Sequence, residues 1–434
     1  VESILEKAKR VCEEAEVLSV TREETPIRFE ANRLKHLETR QSAGVALRII
    51  KDGRIGFSAT TRQGEEDELV ERALEVAHFG ASARFQMSPA ADYPQVQVYD
   101  SAVERVAVEE MVNLGQSLID RVRSANLEIL CEAVVVKSVA TLRIMNSRGG
   151  QADYKKSVFG LGIEGTLIRG TDMLFVGDSE SSCHPLSDFR PVAEATIEQL
   201  ELASDLAVAP SGQIPVIFTH RGVASALIMP LAMGFNGRTV LQGASPLGGR
   251  RGERVFDVKL SLWDDATIDY QPGSRPCDDE GVVSQRTPLI EGGVVANFLY
   301  DLQTAAMANT RSTGNASRSL TSLPSPSISA LIIGEGDVSY QDMIADMEEG
   351  LIVEQLMGAG QGNVLGGEFS GNVLLGYKVE KGKIVGRVKD TMVAGNVYQA
   401  LADLAAVGSE AKWVGGMLCT PPLYIRRLSV SSKG

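Results

Sequence analysis

The chain has 434 residues, with 43 lysines and arginines against 56 aspartates and glutamates, giving a formal net charge of −13. That length exceeds one compact core, so two domains are expected. The acidic balance argues against a nucleic-acid surface, which leans on clustered lysine and arginine.

Residues 1–10 carry Glu2, Glu6, Lys7, Lys9 and Arg10 through an amphipathic pattern, unlike a signal peptide. Ile4, Leu5, Ala8, Val11, Cys12 and Ala15 share one face at helical spacing and predict a first helix. Segments 17–22 and 25–29 read as two strands, 31–33 as a turn and 34–40 as the return. Segments 44–50 and 55–60 flank Asp52-Gly53, the strongest short hairpin signal. Helices are predicted at 65–77 and 108–122. Alternating stretches at 127–136, 140–146, 156–164 and 166–175 then predict an antiparallel meander.

Cys183 and His184 are neighbours, and adjacent side chains in extended backbone point to opposite faces, which suits chelation poorly. The five cysteines stand far apart with no C-x-x-C pair, so a reducing cytoplasm is expected rather than a disulfide framework. No apolar run approaches the roughly 18 to 20 residues of a membrane span. A helix at 191–206 leads into a linker at 207–212. The expected class is α+β, with an N-terminal domain of helices and antiparallel sheet at 1–206 and a β-rich, barrel-like C-terminal domain at 207–434.

Within 212–231 a buried strand feeds a helix, and His220 sits at the junction. A zinc-protease helix places a second imidazole and a carboxylate beside the first histidine. Here Arg221 stands where a general base would be wanted, and Ser225 where the second imidazole would sit. An arginine there repels a dication. Segment 236–254, rich in glycine, serine and arginine, predicts a mobile loop. Strands are predicted at 255–262, 282–289, 294–299, 329–333, 350–356, 374–380, 384–389 and 423–430, with helices at 300–308, 340–348 and 397–405. The glycine-rich 358–369 segment reads as a strand edge able to accept an extended peptide by strand addition.

From Cys277 onward an ordered series of short motifs carries a resemblance. Cys277-Asp278-Asp279-Glu280-Gly281, Arg286, Glu291-Gly292-Gly293, Ser312-Thr313-Gly314-Asn315, Gly367-Glu368-Phe369 and Pro421-Pro422-Leu423-Tyr424 resemble the TldD/PmbA family, long called modulators of DNA gyrase. The resemblance implies a peptide-processing system in which a TldD-type subunit carries a zinc-binding H-E-x-x-x-H and a TldE/PmbA-type partner lacks it. At the corresponding place this chain keeps His220 and departs at Arg221 and Ser225. The expectation is therefore a non-catalytic, cytoplasmic subunit with no cofactor of its own. Zinc is expected in a TldD-type partner, and unfolded or leader peptides as ligands. Dimerisation with that relative or with itself is expected, with neither nucleic acid nor membrane as a partner. Asp278, Asp279, Glu280, Arg286, Ser312, Asn315 and Glu368 are structural or peptide-side candidates, the first four as an ion-paired hairpin brace. Two alternatives stand beside this reading: an independent metallopeptidase using His220 and Cys419 with an acidic group, and a regulator of DNA gyrase.

Overall fold

The structure is a computed structural model that describes residues 1–433. In its first half lie α1 (Glu2–Ala8), β1 (Glu14–Glu30), β2 (Arg33–Leu37), β3 (Arg40–Lys51), β4 (Arg54–Thr60), α2 (Glu66–Ala77), α3 (Ser101–Arg105), α4 (Val108–Ala125), β5 (Leu130–Asn146), β6 (Gln151–Arg169), β7 (Asp172–Ser182) and α5 (Arg190–Leu202). The strands make one seven-stranded antiparallel sheet in the order β4-β3-β1-β5-β6-β7, with β2 also on β1. The β3–β4 hairpin turns at Asp52 and Gly53, both at positive φ, as the Asp-Gly signal predicts.

Two differences from expectation share a cause. Segments 17–29 and 130–146 are each one unbroken strand, not two, and the sheet's three longest strands run 17, 17 and 19 residues. In β1 both ends are buried while Thr21, Arg22 and Glu23 are exposed, so polar residues interrupt the hydrophobic pattern although the ladder continues through them. Helices cover the sheet at its ends. α1 and α2 set Ile4, Leu5, Leu69 and Ala73 against Val17, Leu47 and Ile49. At the other end α4 sets Met111, Leu118 and Val122 against Ile27, Phe29, Val135 and Phe159. α1 stops at Ala8, well short of Ala15, because Glu13 already donates its backbone N–H to Ile50 and draws the chain into the sheet.

The second half is built on a closed ring. Strands Gly212–Phe218, Leu423–Ser432, Thr391–Asn396, Glu368–Glu380 and Glu349–Met357 pair in turn, and the last pairs back onto the first. The barrel-like expectation is met by this five-stranded barrel, filled by Phe218, Phe369, Val353, Val393 and Ile425. Closure corrects the expectation for 358–369. That segment is a 3-10 turn at Ala359–Gln361 and a loop, and its last two residues enter a strand already paired there with Thr391–Asn396, so it is not the strand edge expected. The segment expected to be a mobile loop carries a helix at Gly237–Leu241 and buries Thr239 and Leu247. Strands expected over 255–262 and 294–299 shrink to Leu262–Asp265 and Val294–Val295, since backbone groups there bond irregularly, as Val255 and Phe256 both do to Gly293. The helix expected over 397–405 ends at Ala400, and Leu404–Val407 joins the 423–432 strand instead. No helix among the described residues is long and apolar enough to cross a membrane.

Two buried contacts between the halves stand out. One is apolar: Ile217, Ile352, Tyr377 and Val379 belong to the same buried cluster as Phe29 and Phe159. The other is ionic, an alternating chain Glu280–Arg48–Glu16–Arg318. Arg48 reaches Glu280 and, at 3.1 Å, Glu16, while Arg318 lies 2.8 Å from Glu16. None of the four side chains is more than 3% exposed. Two carboxylates and two guanidiniums balance, which is the condition for keeping charge in so dry a place. Arg48→Ala strands buried Glu280 while Glu16 keeps Arg318, so it should lower unfolding stability by about 3–5 kcal/mol. A fall in the urea midpoint without loss of the native circular dichroism spectrum checks this.

Candidate functional site

α6 (His220–Ala226) begins where a barrel strand ends. Thr219 caps it, accepting from the Gly222 N–H, and donates its hydroxyl to Glu354 at 2.9 Å. Gly222 lets the helix lie flat on the 349–357 strand, because a Cβ there would stand 2.2 Å from the Val353 carbonyl. The helix start is thereby fixed at the wall of a cavity of about 900 Å³ between the two halves of the chain. Its walls come from β7, α5 and α6, from Tyr340, Glu354 and Gln355, and from 409–414.

The three positions of the degenerate motif meet here, each already engaged. His220 donates Nε2–H to the Glu410 carbonyl at 3.1 Å. Burial lowers its proton affinity, and nearby Lys412 lowers it further. Arg221 lies 3.5 Å from Asp178 on β7, whose carboxyl is pushed up by burial and pulled back by that guanidinium. Ser225 donates to the Gly222 carbonyl and accepts from the Leu356 N–H, both at 3.1 Å, tying the helix to the barrel. Cys419 is half-buried on the Leu418–Thr420 strand outside the cavity lining, its thiol pushed up by burial and by Glu335. Among the described residues no three histidine, cysteine, aspartate or glutamate side chains group as metal ligands. With an imidazole already hydrogen-bonded, a guanidinium at the second position and a bridging hydroxyl at the sixth, this donor set does not fit a zinc ion.

The motif residues from Cys277 onward lie away from this cavity. Glu280 is a member of the buried ionic chain and also accepts from the Leu302 N–H. Asp278 accepts from the backbone of Glu280, Val282 and Ala316, and Asp279 from Arg318, with Arg275 3.5 Å away. Asn315 donates to buried Asp264 and Ser312 to the Tyr300 carbonyl. Arg286 does not join the ionic set expected for it; it stacks on Trp263 at 4.0 Å. Glu368 is exposed at the start of a barrel strand. Sequence reasoning missed Asp178, Glu198, Tyr340 and Glu354 in the cavity. They come from four elements scattered over 178–354, and the visible signal nearest them was Thr219 as a helix cap.

Residues 211–432 match the model of the PmbA/TldA metallopeptidase C-terminal domain, and 15–77 that of PmbA/TldA metallopeptidase domain 1. The chain is 27% identical over 394 residues to an uncharacterised protein of Methanocaldococcus jannaschii, covering 89% of each. It is 25% identical to a metalloprotease of Methanothermobacter thermautotrophicus, covering 94% of this chain and 90% of that one. Its fold is similar to the crystal structure of TldE from Thermococcus kodakarensis, with a TM-score of 0.90, 22% identity and 99% of each chain covered.

In a proton NMR titration the His220 ring should show a midpoint below 6.5, because burial and Lys412 both disfavour the imidazolium. Lys412→Met should move that midpoint upward.

Proposed function

Because the chain belongs to the TldD/PmbA metallopeptidase family, we propose that it is the metal-free companion subunit of a zinc-bearing relative, contributing a peptide-binding cavity to their shared assembly. One observation carries this reading: all three positions of the degenerate zinc motif are committed to internal contacts at the wall of a peptide-sized cavity. The cavity is also flanked by strand edges. Among the described residues β7 pairs only with β6, and the Lys412–Val414 strand only with Leu418–Thr420, and both contribute lining residues. An extended, unfolded peptide gains backbone hydrogen bonds along such an edge with little demand on its sequence. These edges take the place of the 358–369 segment as the peptide-accepting element. The five cysteines are free, in keeping with a reducing compartment such as the cytoplasm. A net charge of −13 offers little attraction to a duplex, so DNA has no part in the proposal.

Protein purified without nickel resin should contain no stoichiometric zinc and should not cleave unfolded peptides alone. Co-expressed with a TldD-type relative, it should co-elute with it on size exclusion and support cleavage. Stoichiometric zinc lost on His220→Ala, together with peptide cleavage by the chain alone, would overturn the proposal.

A further inference from the structure

The cavity beside α6 carries an unbalanced charge. Arg221 is spent on Asp178. That leaves Glu180, Glu198, Glu354 and Glu410 among the lining residues against Lys412 and against His220, whose proton affinity burial lowers. Glu354 is drawn deepest. Its only hydrogen bond among the described residues comes from Thr219, and burial raises its carboxyl above the usual carboxylate range. On the neighbouring strand, opposite Ile352, stands Tyr377, fully buried, whose hydroxyl has no hydrogen-bond partner among the described residues. Tyr377 lies behind the lining rather than in it; burial first, and then the cavity carboxylates Glu354 and Glu198, hold its proton on, with Arg221 opposing them. A buried hydroxyl without a partner is costly and is normally answered by something absent from the bare protein.

We infer that the floor of this cavity is a subsite for an organic cation, a primary ammonium or guanidinium carried by an extended peptide, with Glu354 and Glu198 as its acceptors. The inference rests on the peptide-binding reading above and names what that cavity selects. A metal ion does not meet the same demand, because the carboxylates do not converge as a ligand group. Separated carboxylates suit the spread, directional N–H donors of lysine or arginine instead. The charge can arrive on an internal side chain or on the peptide's own N-terminus, and the test separates the two.

Short unstructured peptides, N-acetylated and identical except for one central arginine, lysine, norleucine or glutamate, are titrated into the full chain by fluorescence anisotropy. A fifth probe is the norleucine peptide with a free N-terminus. The arginine and lysine peptides are expected to bind about tenfold more tightly than acetylated norleucine, a difference equivalent to about 1.4 kcal/mol. The preference should disappear in Glu354→Gln. It should also weaken in Glu198→Gln, whose side chain is exposed on α5, so that folding is not at issue. A gain confined to the free-amine peptide would support the subsite with the N-terminus as its source. Equal binding of all five overturns the cation subsite and leaves the peptide cavity standing. No binding of any probe by folded protein overturns the peptide reading and the subsite together.

Discussion

Arg48 stands between Glu16 and Glu280 in a place that water does not reach, and the arrangement of the whole molecule follows from the need to neutralise it. β1 and β3 supply one carboxylate and one guanidinium, and the second half supplies Glu280 and Arg318 as their complements. Burial of apolar surface holds the halves together, but it is tolerant of small slides. A chain of four alternating charges is not, because a shift of a few ångströms would leave a carboxylate facing apolar side chains. The charges therefore fix where the seven-stranded sheet sits against the barrel, and with it the width of the cavity that β7 and α6 share.

This explains why part of the molecule was legible in the sequence. The motifs after Cys277 are short, polar and specific because each does a job that few side chains can do. Asp278 gathers three backbone N–H groups, Asn315 satisfies buried Asp264, and Glu280 completes the ionic chain. The hairpin at Asp52-Gly53 was legible for the same reason, since its backbone demands those residues. The barrel was legible as a class, from many strands with few helices, but not as a closed ring. Ring closure depends on the 349–357 strand pairing with both 212–218 and 368–380, and no local pattern encodes it.

The long strands and the cavity escaped for opposite reasons. In β1 the alternation fails at Thr21 to Glu23, which are exposed polar residues in mid-strand, so one strand looked like two. In the cavity the residues are ordinary acids on four separate elements, each indistinguishable from a solvated surface charge when read along the chain. Only the fold turns Glu354 inward, to the place where Thr219, the cap of the neighbouring helix, donates its hydroxyl to the carboxylate. The degenerate motif lies between these cases. Its departures at Arg221 and Ser225 could be read directly, whereas the contacts that occupy both side chains could not.

The ionic chain has a consequence for synthesis on the ribosome. Glu16 emerges long before Arg318, and at about 5–20 residues per second the interval is on the order of 15–60 s. Through that interval the nascent sheet holds Arg48 and Glu16 as a self-neutral couple. The remaining two charges then arrive on the later half, one of each sign. Every stage of translation is thus left close to electroneutral at this point, and the growing polypeptide has no lone ion to shelter while it waits for its other end.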